Sequence, residues 1–499
     1  MSDTNEKTAA QDTEAVQQAG GTATATQAAT ASDAGGQARP AGLLKFITCG
    51  SVDDGKSTLI GHMLYDSKLI FADQEQALIL DSKTGSRGGA IDYSLLLDGL
   101  AAEREQDITI DVAYRYFTTS KRSFIVADTP GHEEYTRNMA VGASFAQLAV
   151  ILIDATKGVL VQTRRHARIC KLMGIKHFVF AVNKMDLAGY SEKRFDEIAA
   201  QVARLTEELA LSDVTLIPVS ATEGDNITKP SEHTPWYTGL PLLAYLEQVD
   251  VSDHDTGTCF YLPVQRVCRP NHEFRGFQGQ VEHGEVSVGD ELTVLPSGQR
   301  AHVKLIYRGL DAVDHAAAGQ AVNIQLDREI DVSRGCVLTD NPALPVSDAV
   351  DATLLWMDDT PLELGGEYLL ELGTSKIPAT VESIAYKVDV NTGEELPATR
   401  LSKNEIARCR LVFDQKIVVD RFSRNKVLGE LILIDRVSHM TAAGGVVERV
   451  IEREDEGVAE AAAKADLHTV ADALERLSAD PDPAVARRVL RAIAEAIRG

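Results

Sequence analysis

The chain has 499 residues, a net charge of −24 at pH 7, a pI near 4.9 and 44% hydrophobic residues, which predict two to four globular domains. The acidic charge argues against a broad nucleic-acid-binding surface, and no apolar run is long enough for a membrane span, so we expect neither a nucleic-acid nor a membrane partner. The sequence shows no signal or transit pattern and its six cysteines are scattered, so we expect a cytoplasmic protein with free thiols.

Residues 1–42 contain no aromatic residue, leucine or isoleucine, so they cannot bury enough surface to fold and are predicted to be a disordered tail. From residue 43 to about residue 250, short apolar runs alternate with helical patterns. The runs that predict strands are Leu44–Cys49, Ala113–Phe117, Arg122–Ala127, Ala149–Ile153, His177–Val182 and Thr215–Pro218. This alternation predicts an α/β domain with a largely parallel sheet, and ligands of such sheets bind at the carboxyl ends of the strands.

The first predicted strand is followed by the pattern G-x-x-x-x-G-K-S, which runs from Gly50 to Ser57 and precedes a helical pattern. Glycines let the loop curl so that its N–H groups point at anionic oxygens, and the helix N-terminus adds partial positive charge. We predict that Lys56 reaches the β- and γ-phosphates of a nucleotide and that the Ser57 hydroxyl binds Mg²⁺. The predicted nucleotide-contacting residues of this phosphate loop are Gly50, Ser51, Val52, Asp53, Asp54, Gly55, Lys56, Ser57 and Thr58.

A second motif, Asp128-Thr129-Pro130-Gly131-His132, directly follows the third predicted strand. Asp128 is placed to hold Mg²⁺, the N–H group of Gly131 can approach a γ-phosphate, and His132 can orient an attacking water. We predict that all five residues contact the nucleotide.

Thr109 precedes the second predicted strand and follows a long polar stretch. It is a candidate switch residue that closes on Mg²⁺ and the γ-phosphate, and the alternative is an ordinary loop threonine. The predicted catalytic residues are therefore Lys56, Thr109 and His132, and the predicted Mg²⁺ ligands are Ser57, Thr109 and Asp128.

Two further motifs, Asn183-Lys184-Met185-Asp186 and Ser220-Ala221-Thr222, follow the last two predicted strands. A carboxylate such as that of Asp186 can accept hydrogen bonds from guanine N1–H and its exocyclic amino group, which adenine does not offer in that pair. Asn183 can brace the phosphate loop and the base, the stem of Lys184 can cover a ring face, and an N–H group of the second motif can meet guanine O6. We predict that all seven residues contact the nucleotide.

The second half of the chain has short β-patterns about ten residues apart, which predict two small β-barrels at residues 258–346 and 347–446. The predicted strands include Tyr261–Val267 and Glu291–Leu295 in the first barrel and Glu367–Leu372 in the second. Residues 447–499 carry two apolar stripes at helical spacing, separated by Ser478-Ala-Asp-Pro-Asp-Pro483. We predict a two-helix C-terminal extension, which either packs on its own chain or contacts another protein.

The order of these motifs is typical of translation-factor-type GTPases. More narrowly, the chain resembles the large, GTP-binding subunit of bacterial sulfate adenylyltransferase over roughly residues 43–446, through segments such as SVDDGKSTLIGHMLYDSKLI, DTPGHEEYTRNMAVGAS, KGVLVQTRRH and PVQRVCRPNHEFRGFQG. The resemblance implies a GTP-binding domain at residues 43–250, two β-barrels after it, and GTP and Mg²⁺ as ligands. Asp54 stands where proteins similar to elongation factor Tu usually have a histidine, which separates the two subfamilies.

The resemblance also implies a heterodimer with a small adenylyltransferase subunit that carries the ATP and sulfate site. GTP hydrolysis would then drive the uphill formation of adenylyl sulfate and pyrophosphate. The alternative is a translation-factor-like GTPase that delivers aminoacyl-tRNA. One position departs from the family, which usually has glycine at Asp107; the aspartate either opposes closure of the switch or points harmlessly to solvent.

Overall fold

The computed structural model describes residues 42–67, 91, 93–96, 109–251, 259–271, 274–390 and 392–451. The predicted tail at residues 1–42, all but five residues of the predicted extension at 447–499, and Asp107 lie outside these ranges apart from Gly42, so the predictions about them stay predictions. Within the described ranges, no helix is both long and apolar enough to cross a membrane.

The first domain is built on a six-stranded sheet. Its strands are β1 (Leu43–Cys49), β2 (Ala113–Thr118), β3 (Ser123–Asp128), β4 (Leu148–Asp154), β5 (His177–Asn183) and β6 (Asp213–Pro218). Its helices are α1 (Lys56–Asp66), α2 (Thr136–Phe145), α3 (Val161–Leu172), α4 (Glu192–Leu209) and α5 (Leu242–Gln248), with 3-10 turns at Tyr93–Leu96 and Glu133–Tyr135. The strand order is β2-β3-β1-β4-β5-β6, and only the pair β2–β3 is antiparallel. Every strand lies within two residues of its predicted position, so the predicted α/β domain is confirmed.

Helices cover both faces of this sheet. The helices α2, α3 and α4 pack on one face and α1 and α5 on the other, which gives two separate hydrophobic cores. The central strand β4 is buried along its whole length, as expected for a parallel strand covered on both faces. Among the described helices α4 is the longest, and it is capped by Ser191, whose hydroxyl accepts a hydrogen bond from Arg194 N. It buries Ile198, Val202 and Leu205 on one face.

The second domain is a barrel of short strands. They are β7 (Tyr261–Pro263), β8 (Arg266–Cys268), β9 (Gly276–Gln280), β10 (Glu285–Ser287), β11 (Glu291–Leu295), β12 (Gln299–Arg308), β13 (Asp311–Val313), β14 (His315–Ala317), β15 (Ala321–Leu326) and β16 (Val337–Thr339). The main sheet has the order β7-β16-β11-β12-β15-β9-β8. The segment predicted as one strand at 261–267 is two strands, because it changes partner at Val264 and Gln265: β7 pairs with β16 and β8 with β9. This change of partner closes the barrel.

The third domain is a second barrel. Its strands are β17 (Val346–Trp356), β18 (Leu362–Glu363), β19 (Glu367–Leu372), β20 (Ser375–Val388), β21 (Glu395–Leu396), β22 (Arg400–Leu401), β23 (Ile406–Val418), β24 (Glu430–Asp435) and β25 (Thr441–Ile451), with the short helix α6 (Lys426–Gly429). Six of them form a closed ring in the order β19-β24-β25-β17-β23-β20, since β20 also pairs with β19. The last strand runs to Ile451, five residues past the predicted domain end at residue 446, because Val447 and Ile451 are buried in the barrel.

Candidate functional site

Four strands of the first domain deliver their motifs to the same edge of the sheet. In the parallel pairings Thr48 lies opposite Asp128, and Asp154 lies opposite Asn183. Because parallel strands end at a common edge, the phosphate loop and the motifs after β3, β5 and β6 are brought together. The parallel pairing of the strands therefore places these motifs at one edge of the sheet, where they were predicted to lie.

Lys56 is buried within the phosphate loop. Its Nζ atom donates hydrogen bonds to Gly50 O at 3.1 Å and Ser51 O at 2.9 Å, and burial lowers the pKa of its ammonium group. Gly55 has a φ of 89°, and a Cβ there would lie 2.6 Å from Asn183 Nδ2, so the loop needs glycine for both conformation and space. The lysine thus sits where its charge can be turned toward a phosphate instead of its own loop.

The side chain of Asp54 points into the protein beneath the phosphate loop. Its Oδ2 atom accepts a 2.6 Å hydrogen bond from Ser51 N, and its own N–H group donates to Ser51 O at 3.2 Å. The residue is 1% exposed, and burial, opposed by nearby Lys56, raises the pKa of its carboxyl group to about 6. Asp54 therefore shapes the loop from below, whereas its neighbour Asp53 is exposed.

Ser57 and Asp128 form the candidate cation site. The Ser57 hydroxyl donates to Asp128 Oδ2 at 2.9 Å, and the Thr48 hydroxyl donates to Asp128 Oδ1 at 3.0 Å. Burial raises the pKa of the Asp128 carboxyl group, because an ionised carboxylate in this position lacks water. A hydroxyl and a buried carboxylate are the hard oxygen donors that Mg²⁺ prefers, so the residues present fit this ion.

Gly131 lies directly against the phosphate loop. A Cβ at this position would lie 2.6 Å from Gly50 O and 2.7 Å from Lys56 Nζ. The next residue, His132, is exposed, and its Nδ1 atom accepts a hydrogen bond from Glu134 N at 3.2 Å. Nε2 is therefore the ring nitrogen that remains available to a substrate or a water molecule.

Thr109 is half-buried at the beginning of a described segment. The carbonyl oxygen of Ile110 beside it accepts a 2.8 Å hydrogen bond from Asn138 Nδ2 on α2. The closure of Thr109 on Mg²⁺ and the γ-phosphate stays a prediction.

Asn183 joins the phosphate loop to the loop after β6. Its Nδ2 atom donates to Asp54 O at 2.7 Å, and its Oδ1 atom accepts from Ala221 N at 2.8 Å. The Asn183 side chain thus braces the phosphate loop as predicted. Its second contact occupies the N–H group of Ala221, and the contact of an N–H group of the Ser220-Ala221-Thr222 motif with guanine O6 stays a prediction.

Asp186 is held by Ser220, whose hydroxyl donates to Asp186 Oδ1 at 2.7 Å. Lys184 Nζ donates to Asp154 Oδ2 at 2.9 Å, which places its charge beside the buried end of β4. The side chain of Met185 is fully buried in the hydrophobic core, so the predicted contact of this residue with a nucleotide falls to its main chain.

Sequence reasoning missed several residues that support these motifs. His62 on α1 donates through Nδ1 to Ala221 O at 2.7 Å and stacks on Tyr93 with ring centroids 4.1 Å apart. On the other side of the site, Asn404 Nδ2 in the second barrel donates to Glu133 O at 2.9 Å. A lone histidine or asparagine carries no motif, so only the fold reveals these contacts.

Comparison with known proteins gives matches over most of the described chain. The elongation factor Tu GTP binding domain family matches residues 42–264, and the GTP-eEF1A C-terminal domain-like family matches residues 349–448. Sulfate adenylyltransferase subunit 1 of Sulfurovum sp. is 49% identical over 83% of this chain and 89% of that protein. The same subunit of Bacteroides fragilis is 49% identical over 84% of this chain and 88% of that protein. The chain belongs to the sulfate adenylyltransferase subunit 1 family.

A longer relative carries the same core. The bifunctional enzyme CysN/CysC of Xylella fastidiosa is 53% identical over 81% of this chain, and the match covers 66% of that enzyme's length. A solved structure of sup35 complexed with GMPPNP matches 82% of this chain and 94% of that chain at 23% identity, with a TM-score of 0.39. Membership of the sulfate adenylyltransferase subunit 1 family confirms the resemblance, and the two family matches confirm a GTP-binding domain followed by barrel domains.

Proposed function

We propose that this chain is the GTP-hydrolysing subunit of a cytoplasmic sulfate adenylyltransferase. It couples hydrolysis of GTP to the formation of adenylyl sulfate and pyrophosphate from ATP and sulfate on a smaller partner subunit. The observation that carries the proposal is the meeting of Lys56, Asp128 and the Asp186–Ser220 pair at one edge of the sheet, in a member of this family. The names of the relatives favour this reaction over the delivery of aminoacyl-tRNA.

Guanine selectivity rests on Asp186. One of its carboxylate oxygens is held by the Ser220 hydroxyl, which fixes the direction in which the other presents itself. A fixed carboxylate can accept from the N1–H and amino groups of guanine, whereas adenine would leave it unpaired, so ATP is rejected.

Hydrolysis is mainly a matter of positioning and electrostatics. Lys56 turns its ammonium group from Gly50 O and Ser51 O toward the β- and γ-phosphates of GTP, where it stabilises the charge that moves to the leaving oxygen. Gly131 offers its N–H group to the γ-phosphate. His132 orients the attacking water through Nε2, because its Nδ1 atom already accepts a hydrogen bond from Glu134 N.

Ser57 and Asp128 would hold the cation, and Thr109 would be a further ligand. Bound Mg²⁺ supplies charge that neutralises the β- and γ-phosphate oxygens. Burial raises the pKa of the Asp128 carboxyl group, and a cation beside it would favour the ionised form.

A coupled assay tests the proposal. The full chain and its small partner subunit are mixed with ATP and sulfate, and pyrophosphate release is measured with and without GTP. GTP should raise sulfate-dependent pyrophosphate release and be hydrolysed at the same time. Lys56→Ala should abolish both effects of GTP, because the charge on the transferring phosphate is lost.

Lys193→Ala is the matched control, because Lys193 is an exposed residue on α4. Product formation that proceeds equally well without GTP turnover would reject the coupling. Hydrolysis of ATP in place of GTP by the isolated chain would reject the guanine assignment.

A further inference from the structure

The two loops that carry the base-reading motifs are clasped together by Asp225. The Tyr190 hydroxyl donates to Asp225 Oδ2 at 2.6 Å, and the Ser231 hydroxyl donates to Oδ1 at 2.6 Å. His233 Nδ1 lies 3.1 Å from the same Oδ1 atom. The Asp225 side chain is only 11% exposed. Although burial opposes ionisation, the hydrogen bonds from Ser231, Tyr190 and His233 outweigh it and hold the pKa of Asp225 below its usual value.

Tyr190 is fixed by more than its hydroxyl group. Its ring stacks on His233 with centroids 4.6 Å apart, and its carbonyl oxygen accepts a 3.1 Å hydrogen bond from Trp236 Nε1. Its φ is 53°, in the left-handed region that is unfavourable for a non-glycine residue. A strained residue persists only where its surroundings hold it, and such residues concentrate at functional sites.

Both ends of this clasp lead to Asp186. On one side, Tyr190 N donates to Met185 O at 2.7 Å, which closes the turn that contains Asp186. On the other side, Ser220 N donates to Asp225 O at 3.2 Å, and the Ser220 hydroxyl donates to Asp186 Oδ1 at 2.7 Å. Asp225 thus binds Ser220 with its main chain and the Tyr190 turn with its side chain.

We propose that Asp225 and Tyr190 are positioning residues for guanine selectivity, which hold the Asp186 carboxylate where it can accept from both N1–H and the exocyclic amino group. This inference rests on the proposed function, because it assumes that GTP binds at this site. To accept both hydrogen bonds, the Asp186 carboxylate must lie about 2.7–3.2 Å from guanine N1 and from the exocyclic nitrogen at the same time. A displaced Asp186 would keep one of them and lose the other.

Inosine triphosphate separates this role from a merely structural one, because inosine lacks the exocyclic amino group of guanine. If Tyr190 positions Asp186, Tyr190→Phe should lower the preference for GTP over ITP about three- to tenfold. The loss should appear in the KM for GTP, with little change in kcat or in the KM for ITP. Both constants are measured for both nucleotides on the full chain.

Tyr245→Phe is the matched control, because Tyr245 lies on α5 and its hydroxyl accepts only a 3.2 Å hydrogen bond from Thr215 away from the base. Ser231→Ala is a second variant that removes one donor from Asp225 and should lower the same preference by a smaller factor. It also covers the case in which Tyr190→Phe does not fold.

The outcomes are distinct. An unchanged preference in folded Tyr190→Phe and Ser231→Ala, or equal losses for GTP and ITP, would overturn the positioning role while leaving the GTPase assignment intact. A wild-type chain that does not distinguish GTP from ITP would overturn the guanine assignment itself, and the positioning role with it.

Discussion

The phosphate side and the base side of the site are held in different ways. On the phosphate side the contacts of Lys56 and Asp54 are local, since Lys56 bonds to Gly50 and Ser51 and Asp54 bonds to Ser51. On the base side they join residues far apart in sequence, such as Asp186 with Ser220 and Tyr190 with Asp225. When a nucleotide binds, Lys56 has to exchange its hydrogen bonds to the phosphate loop for contacts with phosphate. The hydrogen bonds on the base side, in contrast, are already in place without a nucleotide. Changes on the phosphate side should therefore alter catalysis, and changes on the base side should alter selectivity.

The largest effect is expected at Asp186. Asp186→Asn replaces two acceptors with one acceptor and one donor, which suits xanthine because it has a carbonyl group where guanine has its amino group. The preference should shift from GTP to XTP by about a thousandfold, since each mismatch leaves a buried polar group unpaired. Steady-state kinetics with both nucleotides measure this preference. The control is Asp196→Asn, because Asp196 is an exposed residue on α4. Retained guanine preference would contradict the assignment of this motif.

The opposite pattern is expected at Gly131. In Gly131→Ala the new Cβ would lie 2.6 Å from Gly50 O, so this segment must move away from the loop. We expect kcat for GTP to fall about a hundredfold, because the Gly131 N–H group is lost as a preorganised donor to the γ-phosphate. The ratio of GTP to ITP activity should stay unchanged. Gly42→Ala is the control, because a Cβ at Gly42 meets no atom within 4 Å. A fall in selectivity would show that the two sides are not separable.

The residues that the sequence predicted differ from those that it missed in the kind of contact they make. Lys56, Asp128 and Asp186 were predicted because their motifs are short and each follows an apolar run that reads as a strand. Asp225 and Tyr190 were not, because a tyrosine and an aspartate in two loops carry no pattern until β5 and β6 are paired.

The barrels follow the same rule. Strands β11 and β19 lie at their predicted positions, since local alternation defines them. The break between β7 and β8 and the end of β25 at Ile451 depend on which strands lie alongside, and that information is not local.

The pH dependence of stability sharpens the account of the phosphate loop. Burial raises the pKa of Asp54 to about 6 from its usual 3.8, so the folded state holds its proton at pH values where the unfolded state has lost it. Stability should therefore fall as pH rises from about 4 to about 6, by up to ~3 kcal/mol, and stay lower above that window. Asp54→Asn keeps an acceptor for Ser51 N–H and cannot ionise, so this loss should vanish.

Urea unfolding of the nucleotide-free chain at several pH values measures this effect. The Asp54→Asn variant should be more stable than the wild type at pH 8, and the two should converge below pH 4. Asp53→Asn changes the exposed neighbouring carboxylate and should follow the wild type at every pH. Parallel curves for Asp54→Asn and the wild type would show that the Asp54 carboxyl group is not perturbed.

The smallest effect is expected where the second barrel contacts the phosphate side. A Cβ on Gly131 would lie 2.7 Å from Lys56 Nζ, so little space separates the two residues, and we expect the segment after Gly131 to move when a γ-phosphate enters. Two contacts anchor that segment to the barrel: Asn404 Nδ2 donates to Glu133 O at 2.9 Å, and the Arg137 guanidinium donates to Met357 O. A contact that stabilises only the conformation before binding weakens binding by its own free energy.

Asn404→Asp tests this anchor, because aspartate tolerates the φ of 68° at this position but has no N–H group to donate. We expect GTP and ITP to bind about threefold more tightly, in equal proportion, since one exposed hydrogen bond contributes ~1 kcal/mol at most. Asn341→Asp is the control, because its side chain only accepts a hydrogen bond from Ala343 N, which aspartate also does. Weaker binding would mean that the anchor persists in the nucleotide-bound state. A change in the ratio of GTP to ITP affinity would mean instead that the barrel acts on the base side as well, against the separation of the two sides.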